Sequence, residues 1–332
     1  MSKKRNVILH IGRHKTGTTT LQNVFFSNIS YLKTHGIHYP NIFQREGAHH
    51  LLSENFFGPN FRKLSSNENQ TLIMKTREMI LNNTSKDEII LFSSEGFQNC
   101  NPRFIKEVFS DEYFDVTIVC YFREQAEYAL SSYLQEVHAT LKTIKLDNFL
   151  ETFKPNYYTF MNEWNRYFNN FSLHIFDRTK LQNQDIVDDF FINVLKIPKP
   201  ITDKKNANPS LSKKMLAFKL KYNELYNKNQ LPIEINFSKL YYLLGIFSKN
   251  DINNKFYLTN KQNDFIQKRF STSNKLFFDK YMPNENFSNS IKTVNAEEQF
   301  YDMKDDEFQE ILYNLNEFQW PPNSITNKKR EE

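Results

Sequence analysis

A short apolar run that leads directly into a turn of Gly, Lys and Thr is the feature that most constrains the fold. The run is Val7–Ile11, the turn contains Gly12, Lys15 and Gly17, and a helical pattern begins at Thr18. A strand, turn and helix in this order direct backbone N–H groups and the positive helix end towards an anion. The two glycines let the backbone approach that anion closely. The sequence therefore predicts a phosphate-binding turn at the end of a strand.

The side chains of this turn suit an anionic group, but their order differs from the Walker A motif. Lys15 supplies a positive charge, and Thr18, Thr19 and Thr20 supply hydroxyl donors. A Walker A motif has Gly-Lys followed directly by a magnesium-binding Ser or Thr. Here Lys15 precedes Gly17 instead. The turn is therefore predicted to be P-loop-like without being a Walker A loop.

Short apolar runs alternate with amphipathic stretches along the first two hundred residues. The predicted strands are Val7–Ile11, Glu88–Phe92, Val116–Phe122 and Leu173–Phe176. The predicted helices are Thr18–Lys33, Thr71–Leu81, Glu124–Val137, Asn156–Phe168 and Asp185–Leu195. Such alternation is typical of a parallel sheet with helices on both faces. From about Ser210 the pattern is mostly helical, most clearly over Asn263–Tyr281.

These patterns predict an α/β fold, a three-layer parallel sheet with a P-loop-like phosphate-binding turn and a C-terminal helical extension. We predict a core domain over residues 1–205. Residues 206–332 are predicted to form a mostly helical extension that packs on the core and ends in a polar tail after Pro322.

Composition narrows the range of partners. The chain has 332 residues and a net charge of +5, and its basic residues are scattered rather than concentrated in a stripe that would bind nucleic acid. Its two cysteines form no CxxC pair, which argues against structural zinc and a disulfide framework. No run approaches the roughly 20 apolar residues of a membrane span, and no signal peptide is apparent. We therefore expect a cytoplasmic protein.

The turn also carries a family resemblance. Residues 14–19, His-Lys-Thr-Gly-Thr-Thr, resemble the 5′-phosphosulfate loop of sulfotransferases that use 3′-phosphoadenosine-5′-phosphosulfate (PAPS), and the longer segment Leu9–Gln22 resembles the bacterial branch of that superfamily. The resemblance implies PAPS as the sulfuryl donor. It implies that the phosphosulfate is held by Lys15, Thr16, Gly17, Thr18, Thr19 and Thr20. It also implies sulfuryl transfer without a metal ion.

A second signature of that family lies further along the chain. The apolar strand Val116–Phe122 is followed by Arg123, and Ser131 comes eight residues later. The resemblance implies that Arg123 and Ser131 bind the 3′-phosphate of the nucleotide. The residue chemistry agrees independently, because Arg binds phosphate through a bidentate fork of N–H groups.

Sulfuryl transfer also needs a base for the acceptor hydroxyl and a cation for the leaving oxygen. Lys15 is the predicted cation. Glu95 follows the predicted strand Glu88–Phe92, where ligands of parallel sheets bind, and it stands where cytosolic sulfotransferases carry a catalytic His. His49 and His50 are the alternative, because bacterial relatives often carry a His pair after the first helix. Both alternatives remain open, and Glu95 can serve as the base if burial lifts its pKa towards neutrality.

The resulting hypothesis is sulfation of a hydroxyl acceptor, and the bacterial resemblance points to a carbohydrate or glycan precursor. One alternative is a P-loop kinase acting on a small molecule, which Arg123 disfavours because a magnesium-binding Asp would be expected at the end of its strand. The other is a non-catalytic module that binds nucleotides or glycans, which loss of the candidate bases would favour.

Overall fold

The computed structural model describes residues 3–201, 210–251, 254–288 and 291–319. Within these ranges the strands are β1 (Arg5–His10), β2 (Ile37–His38), β3 (Ile89–Ser93), β4 (Phe114–Phe122) and β5 (Asn170–Ile175). They form one sheet in the order β2-β3-β1-β4-β5, and every neighbouring pair is parallel. In the centre, Leu9 pairs with Phe92 on one side and with Ile118 on the other.

Helices connect and follow these strands. Up to the last strand they are α1 (Thr18–Ser27), α2 (Ile29–Thr34), α3 (His50–Glu54), α4 (Gly58–Arg62), α5 (Ser66–Asn83), α6 (Pro102–Val108), α7 (Gln125–Ala139), α8 (Leu146–Thr152) and α9 (Tyr157–Asn165). Beyond β5 they are α10 (Ile186–Asp189), α11 (Lys213–Asn227), α12 (Phe237–Asn250), α13 (Asn260–Tyr281), α14 (Ala296–Gln299) and α15 (Asp305–Glu317). No helix among the described residues is long and apolar enough to cross a membrane.

Apolar side chains cover both faces of the sheet. On one face, Ile8 and Leu91 share a buried cluster with Leu21 and Phe25 of α1. On the other face, Phe92 packs against Phe109 just after α6, with ring centroids 5.7 Å apart. Successive side chains of a strand point to opposite faces, so strands buried on both faces must be apolar throughout. This explains the apolar run Ile118–Phe122 of β4, in which every residue is buried.

The predicted fold class is confirmed, with differences in detail. The predicted helix Thr18–Lys33 is interrupted at Asn28, whose backbone leaves the helical region (φ −126°, ψ 31°) and separates α1 from α2. The edge strand β2 was not predicted, because its two residues are too few to show a periodic pattern.

The described chain forms two compact units that alternate along the sequence. The first contains Met1–Tyr128, Lys154–Ala207 and Gln267–Ile291, and includes the whole sheet. The second contains Ala129–Phe153, Asn208–Ile266 and Lys292–Glu332 and is helical. The predicted boundary between residues 205 and 206 and the predicted tail after Pro322 lie outside the described residues.

The strand order determines where a ligand would bind. From β1 the chain proceeds to β2 and β3 on one side of the sheet, and it then crosses to β4 and β5 on the other. The carboxyl end of β1 is therefore the point at which the direction of winding reverses. Ligands of open parallel sheets bind outside the strand ends at such a point, and the Gly, Lys and Thr turn follows β1 there.

Candidate functional site

The turn after β1 has an unusual backbone. Gly12 (φ 37°), Lys15 (φ 66°) and Gly17 (φ 74°) all adopt positive φ values, and α1 starts at Thr18 without a capping side chain. Positive φ values alternating with ordinary ones turn successive N–H groups towards a common point, which makes an anion-binding concavity. The positive end of α1 adds to that field.

Both glycines are also required by space. A Cβ atom on Gly12 would lie 3.1 Å from the Thr18 side chain and 3.3 Å from the Cα of Glu95. A Cβ atom on Gly17 would lie 3.1 Å from the ring of Phe176. The turn is therefore in close contact with α1, with the segment after β3 and with the segment after β5.

Two threonines of the turn stabilise its own backbone. The hydroxyls of Thr16 and Thr18 are buried and donate to the carbonyl oxygen of Arg13, at 2.6 and 3.3 Å. Thr19 is exposed and Thr20 is half-buried. In this conformation Thr16 and Thr18 shape the turn, while Thr19 is the threonine exposed to solvent.

Arg13 anchors the turn from within. Its side chain is buried, and the guanidinium carbon lies 4.5 Å from the ring centroid of Phe160 and 5.1 Å from that of Tyr157. Such contacts are attractive because aromatic faces are electron-rich. Its Nε atom is buried without a hydrogen-bond partner. Arg13 therefore contributes positive charge beneath the turn.

Arg123 lies beside Lys15 of the turn. Its Nη1 donates to the carbonyl oxygen of Lys15 at 3.1 Å, and its Nε pairs with Glu127 at 3.1 Å. Burial, with a smaller effect from Arg123, lowers the pKa of Lys15. Two cations this close repel each other, so an anion bound between them would be stabilised.

Ser131, the other predicted 3′-phosphate ligand, lies on α7 and is buried. It belongs to the second compact unit, whereas Arg123 belongs to the first. Joint binding of one phosphate by these two residues stays a prediction.

Glu95 stands at the end of β3 and is half-buried. The Nε2 of Gln22 on α1 donates to Glu95 Oε2 at 3.0 Å and to Ser93 Oγ at 3.4 Å. Burial acts to raise the pKa of Glu95, as expected from the sequence. Hydrogen bonds from Gln22 and its own backbone, with the nearby His50 and His14, outweigh burial and leave that pKa below its usual range. A pKa lifted by burial, the condition set from the sequence, is therefore not met in this structure, because these donors stabilise the charged form.

The two neighbouring histidines have different environments. His49 is fully buried, and its Nδ1 accepts from the backbone N–H of Ser93 at 3.1 Å while its Nε2 donates to the carbonyl oxygen of Pro40 at 2.8 Å. Burial lowers its pKa to about 3. Both ring nitrogens of the neutral side chain are occupied, so His49 has a structural role in this conformation.

His50 keeps one ring nitrogen available, as its hydrogen bonds imply. Ser53 Oγ donates its proton to the His50 carbonyl oxygen at 2.9 Å. In the 3.0 Å contact between Ser53 Oγ and Ser94 Oγ, Ser53 is therefore the acceptor and Ser94 the donor. The Ser94 hydroxyl proton is thereby used. His50 Nδ1, which lies 3.0 Å from Ser94 Oγ, must then donate. The neutral ring consequently has its lone pair on Nε2.

His14 is a third imidazole near Glu95, and it lies in the turn itself. Desolvation by the surrounding protein lowers the pKa of His14. Glu95 opposes this effect, and Arg13, Lys15 and His50 add to it. His14 is part of the motif at residues 14–19, but no role could be assigned to it from the sequence. The Glu95 carboxylate is thus near two histidines that belong to different elements.

A cavity of about 220 Å³ lies at the carboxyl ends of β4 and β5. Its lining includes Glu124, Phe176, Asp177 and Phe287. Phe176 also contacts the turn, since its ring lies 5.6 Å from the guanidinium carbon of Arg123 and close to Gly17. The cavity therefore adjoins the anion-binding region.

The strand order defines the class: an α/β protein with a parallel five-stranded sheet flanked by helices, in which a turn of Gly, Lys and Thr residues follows the central strand. No protein-family model matches the chain, and no curated protein is significantly similar in sequence. Among solved structures, a sulfotransferase from Alicyclobacillus acidocaldarius aligns with 84% of this chain and 96% of its own, at 12% sequence identity and a TM-score of 0.41. Similarity at that level carries no argument about function, so the fold class is assigned from the strand order.

Gln22 is a further residue of this site to which the sequence assigned no role, as with Arg13 and His14. The sequence contains an indication of its role, because Gln22 is a polar residue on the buried side of α1, together with Thr18, Leu21 and Phe25. A polar side chain on an apolar stripe is buried at a cost unless it is hydrogen-bonded. The sequence does not show that its partner is Glu95, 73 residues away.

Proposed function

We propose that the protein is a PAPS-dependent sulfotransferase that transfers a sulfuryl group to a hydroxyl acceptor. The observation that carries the proposal is the contact between the turn and Glu95, whose Cα would lie 3.3 Å from a Cβ atom on Gly12. A candidate base therefore lies at the edge of the candidate phosphosulfate site, as direct transfer between donor and acceptor requires.

The residues present fit the donor. The turn offers backbone N–H groups, α1 offers its positive end, and Lys15 and Arg13 add charge. Arg123 uses two of its N–H groups in the contacts with Lys15 and Glu127, and the guanidinium has five. The remaining donors support binding of a 3′-phosphate, and the adjoining cavity supports a place for the nucleoside.

The proposed reaction is an in-line displacement at sulfur. Glu95 accepts the acceptor's hydroxyl proton, the acceptor oxygen bonds to sulfur, and the bond between sulfur and the bridging phosphate oxygen breaks. The products are a sulfate ester and 3′-phosphoadenosine-5′-phosphate. Lys15 stabilises the charge that develops on the departing phosphate oxygen, an interaction that strengthens towards the transition state.

The sulfotransferase resemblance of the turn favours a carbohydrate or glycan precursor as the acceptor. The test is transfer of radiolabelled sulfate from PAPS to a panel of oligosaccharides and non-sugar alcohols, with Lys15→Ala as the matched control. Labelled sulfate ester that depends on Lys15 supports the proposal. Transfer of labelled phosphate from ATP in the same assay would instead identify a kinase. Binding of the bisphosphate without any transfer would identify a binding module.

A further inference from the structure

Gln22 is placed to act on the candidate base. Its side chain is 3% exposed, and its two amide protons point to Glu95 Oε2 at 3.0 Å and to Ser93 Oγ at 3.4 Å. Both acceptors lie at the end of β3, whereas Gln22 lies on α1. The amide therefore joins the helix after the turn to the strand end that carries the base.

The network continues beneath Gln22. Ser93 Oγ lies 2.8 Å from Nδ1 of His10, the last residue of β1, and burial lowers the pKa of His10 to about 4. His10 is therefore neutral near pH 7 and adds no positive charge beside the Glu95 carboxylate. Gln22 gives Glu95 a strong hydrogen bond from a neutral group. It stabilises the carboxylate without adding the full positive charge that a Lys or Arg would bring.

Gln22 also lies one helical turn after Thr18, on the same buried side of α1. The helix that starts at the anion-binding turn thus carries the group that holds the base. An incoming phosphosulfate brings negative charge that disfavours an ionised Glu95. A donor fixed on the same helix opposes that effect.

We propose that Gln22 is a positioning residue whose amide fixes the Glu95 carboxylate beside the anion-binding turn and favours its charged form while the donor is bound. This inference rests on the proposed function in treating Glu95 as a base. Its structural part, the control of Glu95 by Gln22, is measurable without turnover.

The primary variant is Gln22→Met, which has a similar length but no donor, with Gln22→Leu as a second variant should the first fail to fold. The matched control is Asn23→Ala, an exposed neighbour on α1. The Glu95 carboxyl carbon is titrated by NMR in ¹³C-labelled protein, with and without 3′-phosphoadenosine-5′-phosphate. Its resonance is assigned from the spectrum of Glu95→Gln.

We expect the Glu95 pKa to rise by about one pH unit in Gln22→Met and to stay unchanged in Asn23→Ala. Because the base form exists only above that pKa, the acid limb of the kcat profile should move up by the same amount. Turnover should then fall about tenfold at acidic pH and less at alkaline pH, while the KM for PAPS stays unchanged.

An unchanged Glu95 titration in both Gln22 variants would overturn the inference. A raised pKa with no movement of the kcat profile would also overturn the positioning role, because Glu95 would then not be the base. If no sulfuryl transfer is found in any variant, the proposed function fails, and a raised pKa would still support the control of Glu95 by Gln22.

Discussion

The two strands that flank β1 end in side chains of opposite charge. β3 is followed by Glu95 and β4 by Arg123, and both contact the same turn. The supports differ as well: a neutral amide holds Glu95, whereas a carboxylate and a carbonyl oxygen hold Arg123. One turn therefore separates a site that can accept a proton from a site that can bind an anion.

This contrast suits a reaction in which one partner is a dianionic phosphate and the other a neutral hydroxyl. Positive charge on the β3 side would neutralise the base, and negative charge on the β4 side would repel the nucleotide. Acidic residues are nevertheless present on the β4 side: Glu127 pairs with Arg123, and Glu124 and Asp177 line the adjoining cavity. The predictions below test whether the two sides act separately.

The largest expected effect comes from Glu95→Gln, which keeps the size and removes the basic group. Turnover should fall by about 10²–10⁴-fold, the usual contribution of a general base. The affinity for 3′-phosphoadenosine-5′-phosphate should stay within a factor of about three, or rise slightly because a negative charge is lost. Steady-state kinetics and calorimetry measure the two quantities. A large loss of nucleotide affinity would show that the two sides are not separate.

Lys15→Ala should lower kcat by about 10²–10³-fold, comparable to the loss of a single donor to a developing oxyanion. Its effect on nucleotide affinity should be smaller, since the charge on the leaving oxygen grows towards the transition state. Lys15→Arg is the matched variant, because it keeps the charge with a different geometry. Normal turnover of Lys15→Ala at saturating PAPS would contradict this role.

Arg123→Ala should weaken 3′-phosphoadenosine-5′-phosphate about ten- to a hundredfold, the usual cost of losing hydrogen bonds to a charged group. Adenosine 5′-phosphosulfate, which lacks the 3′-phosphate, should be affected much less. Calorimetry with both ligands measures the difference.

Glu127→Gln provides the matched control for Arg123. Removing the partly exposed competitor of the guanidinium should tighten the bisphosphate by up to about fivefold. Equal weakening of both nucleotides by Arg123→Ala would mean that this residue does not recognise the 3′-phosphate.

The smallest effect on turnover is expected from substitutions of His49 and His50. His49→Ala should mainly lower stability, and His50→Ala should mainly affect catalysis. His49→Ala leaves the buried N–H of Ser93 without its acceptor and should lower the free energy of unfolding by about 2–4 kcal/mol. His50→Ala should leave stability nearly unchanged and lower turnover less than tenfold. Urea unfolding and kinetics measure the two. A His50 variant as inactive as Glu95→Gln would move the base to His50.

Much of the fold could be predicted from the sequence, because buried positions must be occupied by apolar residues. Residues Ile118–Phe122 of β4 are all apolar because both faces of the strand are covered there, and α7 has an apolar stripe because one side of the helix is buried. The short β2 escaped prediction because two residues carry no period. The break at Asn28 escaped it because apolar residues continue on both sides of the interruption.

The candidate site was readable where its residues are adjacent in sequence. The turn from Gly12 to Thr18 was predicted because its glycines, lysine and threonines stand together and have a local conformational reason. The choice between His49 and His50 was not readable, because neighbouring positions with identical side chains differ only in what surrounds them. The direction of the Glu95 pKa shift was likewise hidden, since Gln22 and Glu95 are 73 residues apart.

The sequence by itself thus determined the parallel α/β class, the Gly, Lys and Thr turn that follows a strand, and a set of charged residues at predicted strand ends. Local conformational preferences and the burial of strands both determine which residue types occur along a short stretch of sequence. These features can therefore be recognised without knowledge of tertiary contacts. Only the tertiary structure decided that β1 is the central strand, that Glu95 and Arg123 contact one turn, and that a buried amide holds the carboxylate. Hydrogen bonds and electrostatic interactions depend on distances of a few ångströms between residues far apart in the chain, and folding alone sets those distances.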